Sequence, residues 1–231
     1  MDTFFPEGEK VVSFGNARRT AREALLGEVL AYWDALRAER PVPLRSEIDP
    51  RGIERALEYT FILERIAPSI TRFRLAGAHL TDLMGMEVRG MPFTSFFLPH
   101  ARARMTEVTE AVFQGPTVAE LTLRSEATLG KPDLAASLLI LPLRSDLGDV
   151  SRALGCLVAE GDIGRAPRRF ELAGERIRPV AADRFPTDTG QAPRHIPTPG
   201  FAEEAPAFAV PPQPSQTGPR VSHLRLVKTD D

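Results

Sequence analysis

Apolar positions recur at helical spacing over residues 17–40. Leu25, Val29, Trp33 and Leu36 share one face, and Leu26, Leu30 and Tyr32 widen it into a broad stripe. Arg18, Arg22, Glu23, Glu28, Arg37 and Glu39 mostly fall elsewhere on the wheel, and Pro41 stops the helix. A stripe this wide suits two readings: docking on the chain's own domain, or a seam between two copies. Residues 41–50 form an extended connector that closes on Asp49 and Pro50. This is an N-cap followed by proline at the first helical position, so a short helix runs on towards Leu57.

The period then changes to two. Residues 59–66 and 70–75 are apolar runs parted by Ala67-Pro68-Ser69, the composition of a hairpin turn. In the second run Thr71, Phe73 and Leu75 alternate with Arg72 and Arg74, which predicts one face for each set. A short helix over 78–84 stops at Gly85, and residues 86–97 are irregular. A further helix over 100–113 carries Met105, Val108, Val112 and Phe113 on one side and ends at Gly115-Pro116. Three more strands are predicted over 118–128, 134–143 and 153–159, and residues 170–180 read as a short strand or ribbon laid against the domain. The sum is an α+β fold: a five-stranded antiparallel sheet with short helices on one face and an N-terminal flanking helix.

Prolines, charges and small residues dominate from residue 181. They leave too little apolar area to offset ordering entropy, which predicts a disordered tail over 181–231. Within it Val221–Lys228 is a small apolar-basic island, read as an unstructured terminus or a short partner-binding motif. The division is therefore a leader (1–16), the flanking helix (17–40), a folded domain (41–180) and the Pro-rich tail (181–231).

Composition adds exclusions. The net charge of −2 offers no general attraction to nucleic acid or anionic membrane. The longest apolar run, residues 135–141, is far short of the roughly 20 residues that cross a bilayer. The N-terminus lacks the basic start and apolar run of a secretory signal. The single cysteine, Cys156, cannot form an internal disulfide, which fits a reducing compartment. These features predict a soluble cytoplasmic protein.

The order of elements resembles a PAS domain, and more closely the variant of small single-PAS proteins of proteobacteria. The residues that carry the resemblance are Tyr32-Trp33, Leu36-Arg37, Arg40-Pro41, Ile48-Asp49-Pro50, Phe73-Arg74-Leu75-Ala76-Gly77, Leu83-Met84-Gly85, and Gly90 before Phe96-Phe97. The resemblance spans roughly residues 22–180. It implies a five-stranded antiparallel sheet that cups a small cavity against its helices, and sensing or protein interaction rather than catalysis.

The candidate residues follow from that frame. Met84, Met86, Met91 and Met105 stand around the expected cavity with Phe93, Phe96 and Phe97, as core filling or as the wall of a small apolar ligand pocket. The pocket reading names Phe73, Leu83, Met84, Met86, Phe97 and Met105. Leu25, Val29, Trp33 and Leu36 are the candidates for a dimer or partner helix. A haem ligand must present a neutral imidazole to the cavity; His100, just after Pro99 at a helix start, is expected to be exposed, and His79 is the weaker candidate. Cys156, in a strand between Gly155 and Leu157, reads as a buried structural thiol rather than a flavin-reactive one. In light-sensing PAS relatives the reactive cysteine lies in a helix within an Asn/Gln-rich motif. The pairs Glu47/Asp49, Asp146/Asp149 and Glu107/Glu110 have no histidine or nucleophile arrangement beside them and read as surface charge. No zinc spacing or phosphate loop is present. The expectation is a non-enzymatic regulatory protein without metal or cofactor, acting on protein partners as a homodimer. The alternative is a sensor holding a small apolar ligand in its cavity.

Overall fold

The apolar run at 134–143 does not alternate because both of its faces are covered. The computed structural model describes residues 14–180, with side chains from Ala21 onward. One antiparallel sheet has the order β2-β1-β5-β4-β3-β6. Its strands are β1 (Thr60–Ala67), β2 (Ile70–Ala76), β3 (Thr117–Ser125), β4 (Leu134–Leu143), β5 (Arg152–Glu160) and β6 (Glu171–Pro179). Leu138 and Ile140 of β4 join an inner core with Leu121, Leu123 and Leu157. Leu139, Leu141 and Leu143 join an outer core with Leu154, Cys156 and Val158. The inner core is closed by α2 (Ala78–Met84), α3 (Arg102–Gln114) and the 3₁₀ turn Phe93–Phe96. The outer core is closed by α1 (Phe14–Arg37) and the 3₁₀ segment Pro50–Tyr59.

The seat of α1 uses the residues that carried the resemblance. Trp33 is 1% exposed, and its Nε1 donates to Pro142 O at 2.8 Å. Burying an indole, at about 25 cal/mol per Å2 over roughly 200 Å2, outweighs the ~1 kcal/mol of that bond. Apolar contact therefore holds the helix down, while the bond fixes its register. Tyr32 Oη donates to Asp49 O and accepts from Asp49 N–H, tying helix to connector. Arg40 Nη2 donates to both carboxylate oxygens of Glu47 at 2.8 Å, and Glu47 accepts from Leu44 N–H. Asp49 caps the 3₁₀ segment through Arg51 N–H. Gly77, at the start of α2, has no room for a side chain: a Cβ there would meet Glu58 O at 2.1 Å. Gly85 ends α2 in the left-handed conformation, φ 71°.

Several expectations are corrected. The sheet has six strands, because residues 171–179 pair with β3 from Thr117 to Arg124. Thr71, Phe73 and Leu75 do not all share a face. A bulge between Ile62 and Leu63 pairs Phe73 with Leu63 of the inner core but Leu75 with Ile62 of the outer one. Leu75 is left 50% exposed. The flanking helix starts at Phe14 rather than at residue 17, and the strand expected to reach residue 128 ends at Ser125. The rest of the expected leader and the expected disordered tail over 181–231, with its Val221–Lys228 island, lie outside the described residues.

The start of β6 is pinned by a buried cation. Arg168 is 0% exposed. Its Nη2 donates to Pro132 O at 2.6 Å and to Ser125 O at 3.2 Å, its Nη1 to Ile163 O at 2.7 Å, and its Nε to Ser125 Oγ at 3.2 Å. Neutral oxygens thus take the place of water around the guanidinium and bind the loop before β6 to the end of β3 and the start of β4. Phe170, also fully buried, exchanges backbone bonds with Phe96 and Leu98. Replacing Arg168 by Met would leave those oxygens unmet and is expected to destabilise the fold by about 3 kcal/mol. Urea denaturation followed by far-UV circular dichroism measures this, and an unmoved midpoint would show that the guanidinium does not hold the loop.

Candidate functional site

Five of the six expected cavity residues meet in the inner core: Phe73, Leu83, Met84, Phe97 and Met105 are each at most 2% exposed. Met86 does not join them. It follows the Gly85 cap, turns outward and is 55% exposed, so its assignment to the wall is corrected. The space these residues surround is occupied by aromatic rings. Phe61 packs on Phe73 at 5.3 Å and on Phe93 at 6.0 Å, Phe73 on Phe96 at 5.1 Å, and Phe93 on Phe97 at 5.2 Å. These edge and tilted contacts are the favoured geometries for rings, and the interior they make is a packed one.

The stripe of α1 is divided by its seat. Val29 and Trp33 are buried in the chain's own outer core, Leu25 is half-buried against it, and Leu36 is half-buried. Beside the helix a groove of about 460 Å3 opens over β3, β4 and β6. Leu26, Gly27 and Leu30 form its helix wall, and Leu139 lies in its floor with Thr122 and Ser137. None of Gly27, Thr122 and Ser137 carries a sequence motif. The available signal was a glycine in the middle of a strong helical pattern.

The titratable candidates fall at other places. His100 is exposed, in the turn before α3, and its Nε2 lies 3.8 Å from Glu171 Oε2. Cys156 faces the outer core beneath α1, where burial pushes its thiol up to about 12. His79, on α2, accepts the Ala159 N–H through Nε2 at 3.1 Å and meets Tyr59 edge-on at 4.9 Å. Burial lowers its pKa, against the raising influence of Glu58 and Asp82. Glu110 does more than sit on the surface. Burial raises its pKa, but bonds from Arg65, Ser69 N–H and Gln114 outweigh this and leave it lowered. It thereby fastens the β1–β2 turn to α3. Glu64 is held between Arg74 and Arg152 on the outer face. Among the described residues no group of three His, Cys, Asp or Glu side chains could hold a metal ion, and no helix is long and apolar enough to cross a membrane.

The family model described as PAS domain matches residues 22–158. No curated protein matches the chain. Solved structures to which the chain is similar include the following three. A light-oxygen-voltage domain studied with a flavin analogue has 17% identity, 48% of this chain and 84% of that one covered, and TM-score 0.35. An RNA-binding light-oxygen-voltage receptor has 19% identity, 50% and 35% covered, and TM-score 0.34. The light state of the blue-light photoreceptor Aureochrome1 LOV has 12% identity, 48% and 88% covered, and TM-score 0.34. At these scores the likeness assigns neither ligand nor partner.

The geometry at His79 predicts a pH dependence. Its folded pKa lies below the ordinary value of about 6.5 because burial disfavours the charged ring, and protonating Nε2 would also forfeit the bond accepted from Ala159 N–H. The stability it contributes is complete above pH 6.5 and is lost as pH falls from there through the folded pKa. His79→Gln keeps an acceptor and loses the titration. Between pH 7 and pH 5 the wild type is expected to lose about 1 kcal/mol more than this variant. Equal losses in thermal melts across that range would remove His79 from the account.

Proposed function

The chain belongs to the PAS domain family, and on that premise we propose that it is a non-enzymatic regulatory protein working through protein–protein contact. The observation that supports this reading most is the interior packed with phenylalanine. With Phe61, Phe73, Phe93, Phe96 and Phe97 filling the space between sheet and helices, the surfaces are where a change of state can be read by another molecule. Those surfaces carry large apolar groups: Leu57 is 43% exposed and Leu75 50%, both on the outer side of the sheet. The free thiol of Cys156 is in keeping with a cytoplasmic setting. Ligand sensing, the second reading, is favoured by the open space beside α1 more than by the interior.

Homodimerisation is part of the proposal, with the half-buried members of the α1 stripe, Leu25 and Leu36, at the seam. Val29 and Trp33 support it by setting the helix in place rather than by touching the partner. Sedimentation velocity over a range of concentrations is expected to show a dimer that becomes a monomer in the double variant Leu25→Arg, Leu36→Arg, with far-UV circular dichroism checking that the variant keeps its fold. A wild type that stays monomeric at every concentration overturns the homodimer.

A further inference from the structure

Gly27 breaks a local rule. It stands inside the 24-residue α1, where glycine is less favourable than alanine by about 1 kcal/mol. A Cβ at this position would meet nothing within 4 Å. Nothing among the described residues therefore requires the bare backbone, and rules broken without an internal reason collect at functional positions.

The groove on which Gly27 opens has a geometric origin. A helix with its side chains is about 10 Å across, and strands lie about 4.8 Å apart, so one helix covers about two strands. Val29 and Trp33 of α1 pack on outer-face residues of β4 and β5, and beside them the groove lies over β3 and β6. Its volume of about 460 Å3 is in the range of small-molecule sites. Leu26, Leu30 and Leu139 make an apolar bed. Thr122 and Ser137 face each other across β3 and β4, and neither hydroxyl has a hydrogen-bond partner among the described residues.

The charges around the bed give it a sign. Arg176 lies opposite Glu120 in register, but the Glu120 carboxylate is taken by Arg178 at 3.3 Å. Glu175, opposite Leu121 of the inner core, turns its carboxylate to the other side of the sheet, where Arg104 of α3 holds it, and Glu23 on the helix wall is engaged. Arg176 is left exposed, with no ion pair among the described residues. Glu120 is thus paired, Glu175 is turned away, and Arg176 is a guanidinium of the groove left open to a ligand's negative charge.

We propose that this groove binds an amphiphilic carboxylate. The apolar tail lies along Leu26, Leu30 and Leu139 and crosses the bare backbone at Gly27. The polar end passes the Thr122 and Ser137 hydroxyls, and the carboxylate pairs with Arg176. This site is on the opposite side of the sheet from the phenylalanine-filled interior, and it does not depend on the chain acting through protein contact.

The test is a calorimetric titration of the full chain with dodecanoate below its micelle-forming concentration, with dodecyltrimethylammonium as the charge control. Gly27→Phe fills the groove where there is room for a side chain and improves helix propensity, and Arg176→Glu reverses an exposed charge; both variants are expected to fold. Saturable one-to-one binding of dodecanoate is expected, about tenfold weaker in Arg176→Glu and lost in Gly27→Phe, with the cation at least about tenfold weaker than the acid. Equal binding of acid and cation, or equal binding by wild type and both variants, overturns the site as adsorption on apolar surface. Amide NMR shifts confined to the inner-core residues would overturn it in favour of the interior. A wild-type dimer that binds no dodecanoate, beside a monomeric Gly27→Phe, would overturn it in favour of a second copy in the groove.

Discussion

A sheet whose central strands are dry on both faces has to be covered twice, and the rest of this structure answers that requirement. β5 and β4 sit in the middle of six strands and are buried almost throughout. The segments between β2 and β3 supply one cover. The other comes from α1, which precedes the sheet in the chain and is brought back over it by the connector. That return is fixed by Trp33 on Pro142, Tyr32 on Asp49 and Arg40 on Glu47. The helix is therefore half of the outer core rather than an appendage, and its departure would expose Leu139, Leu141 and Leu154 to water.

Much of this was legible in the sequence, because the signals are local. The 3.6-residue period of α1, the Asp49-Pro50 start and the Ala67-Pro68-Ser69 turn each depend on neighbouring residues alone. The run at 134–143 was readable as a strand, although its lack of alternation has its cause in a second layer that no window of sequence contains. What was not legible is equally specific. One extra residue at the β2 bulge moved Leu75 to the other face, and alternation counting assumes that no such residue exists. β6 has no buried residue and a glycine at its bulge, so its pattern is weak; it is a strand because β3 offers an edge and Arg168 delivers the chain to it. Met86 was misplaced because a left-handed cap redirects the chain within a single residue. The groove is a consequence of the relative widths of helix and sheet, which no motif encodes.

The two cores are packed by different means. The inner one relies on large rings with ring-to-ring distances of 5.1 to 6.0 Å, shapes with few alternative arrangements. The outer one relies on aliphatic side chains from β4 and β5, with a single aromatic wedge, and it is flanked by open space. If the protein changes state, the side with slack is the outer one, and the strands shared by both cores make the inner side the fixed reference against which a shift is measured.

Trp33 gives that outer side a property of its own. It is the chain's one tryptophan, and it sits dry beneath α1 with its N–H bonded to Pro142. The tryptophan emission of the unlabelled protein is therefore a report from this seat alone: blue while the helix is down, red and quenchable once water reaches the indole. The molecule carries an optical gauge of whether its first helix is docked, built from the side chain that does the docking.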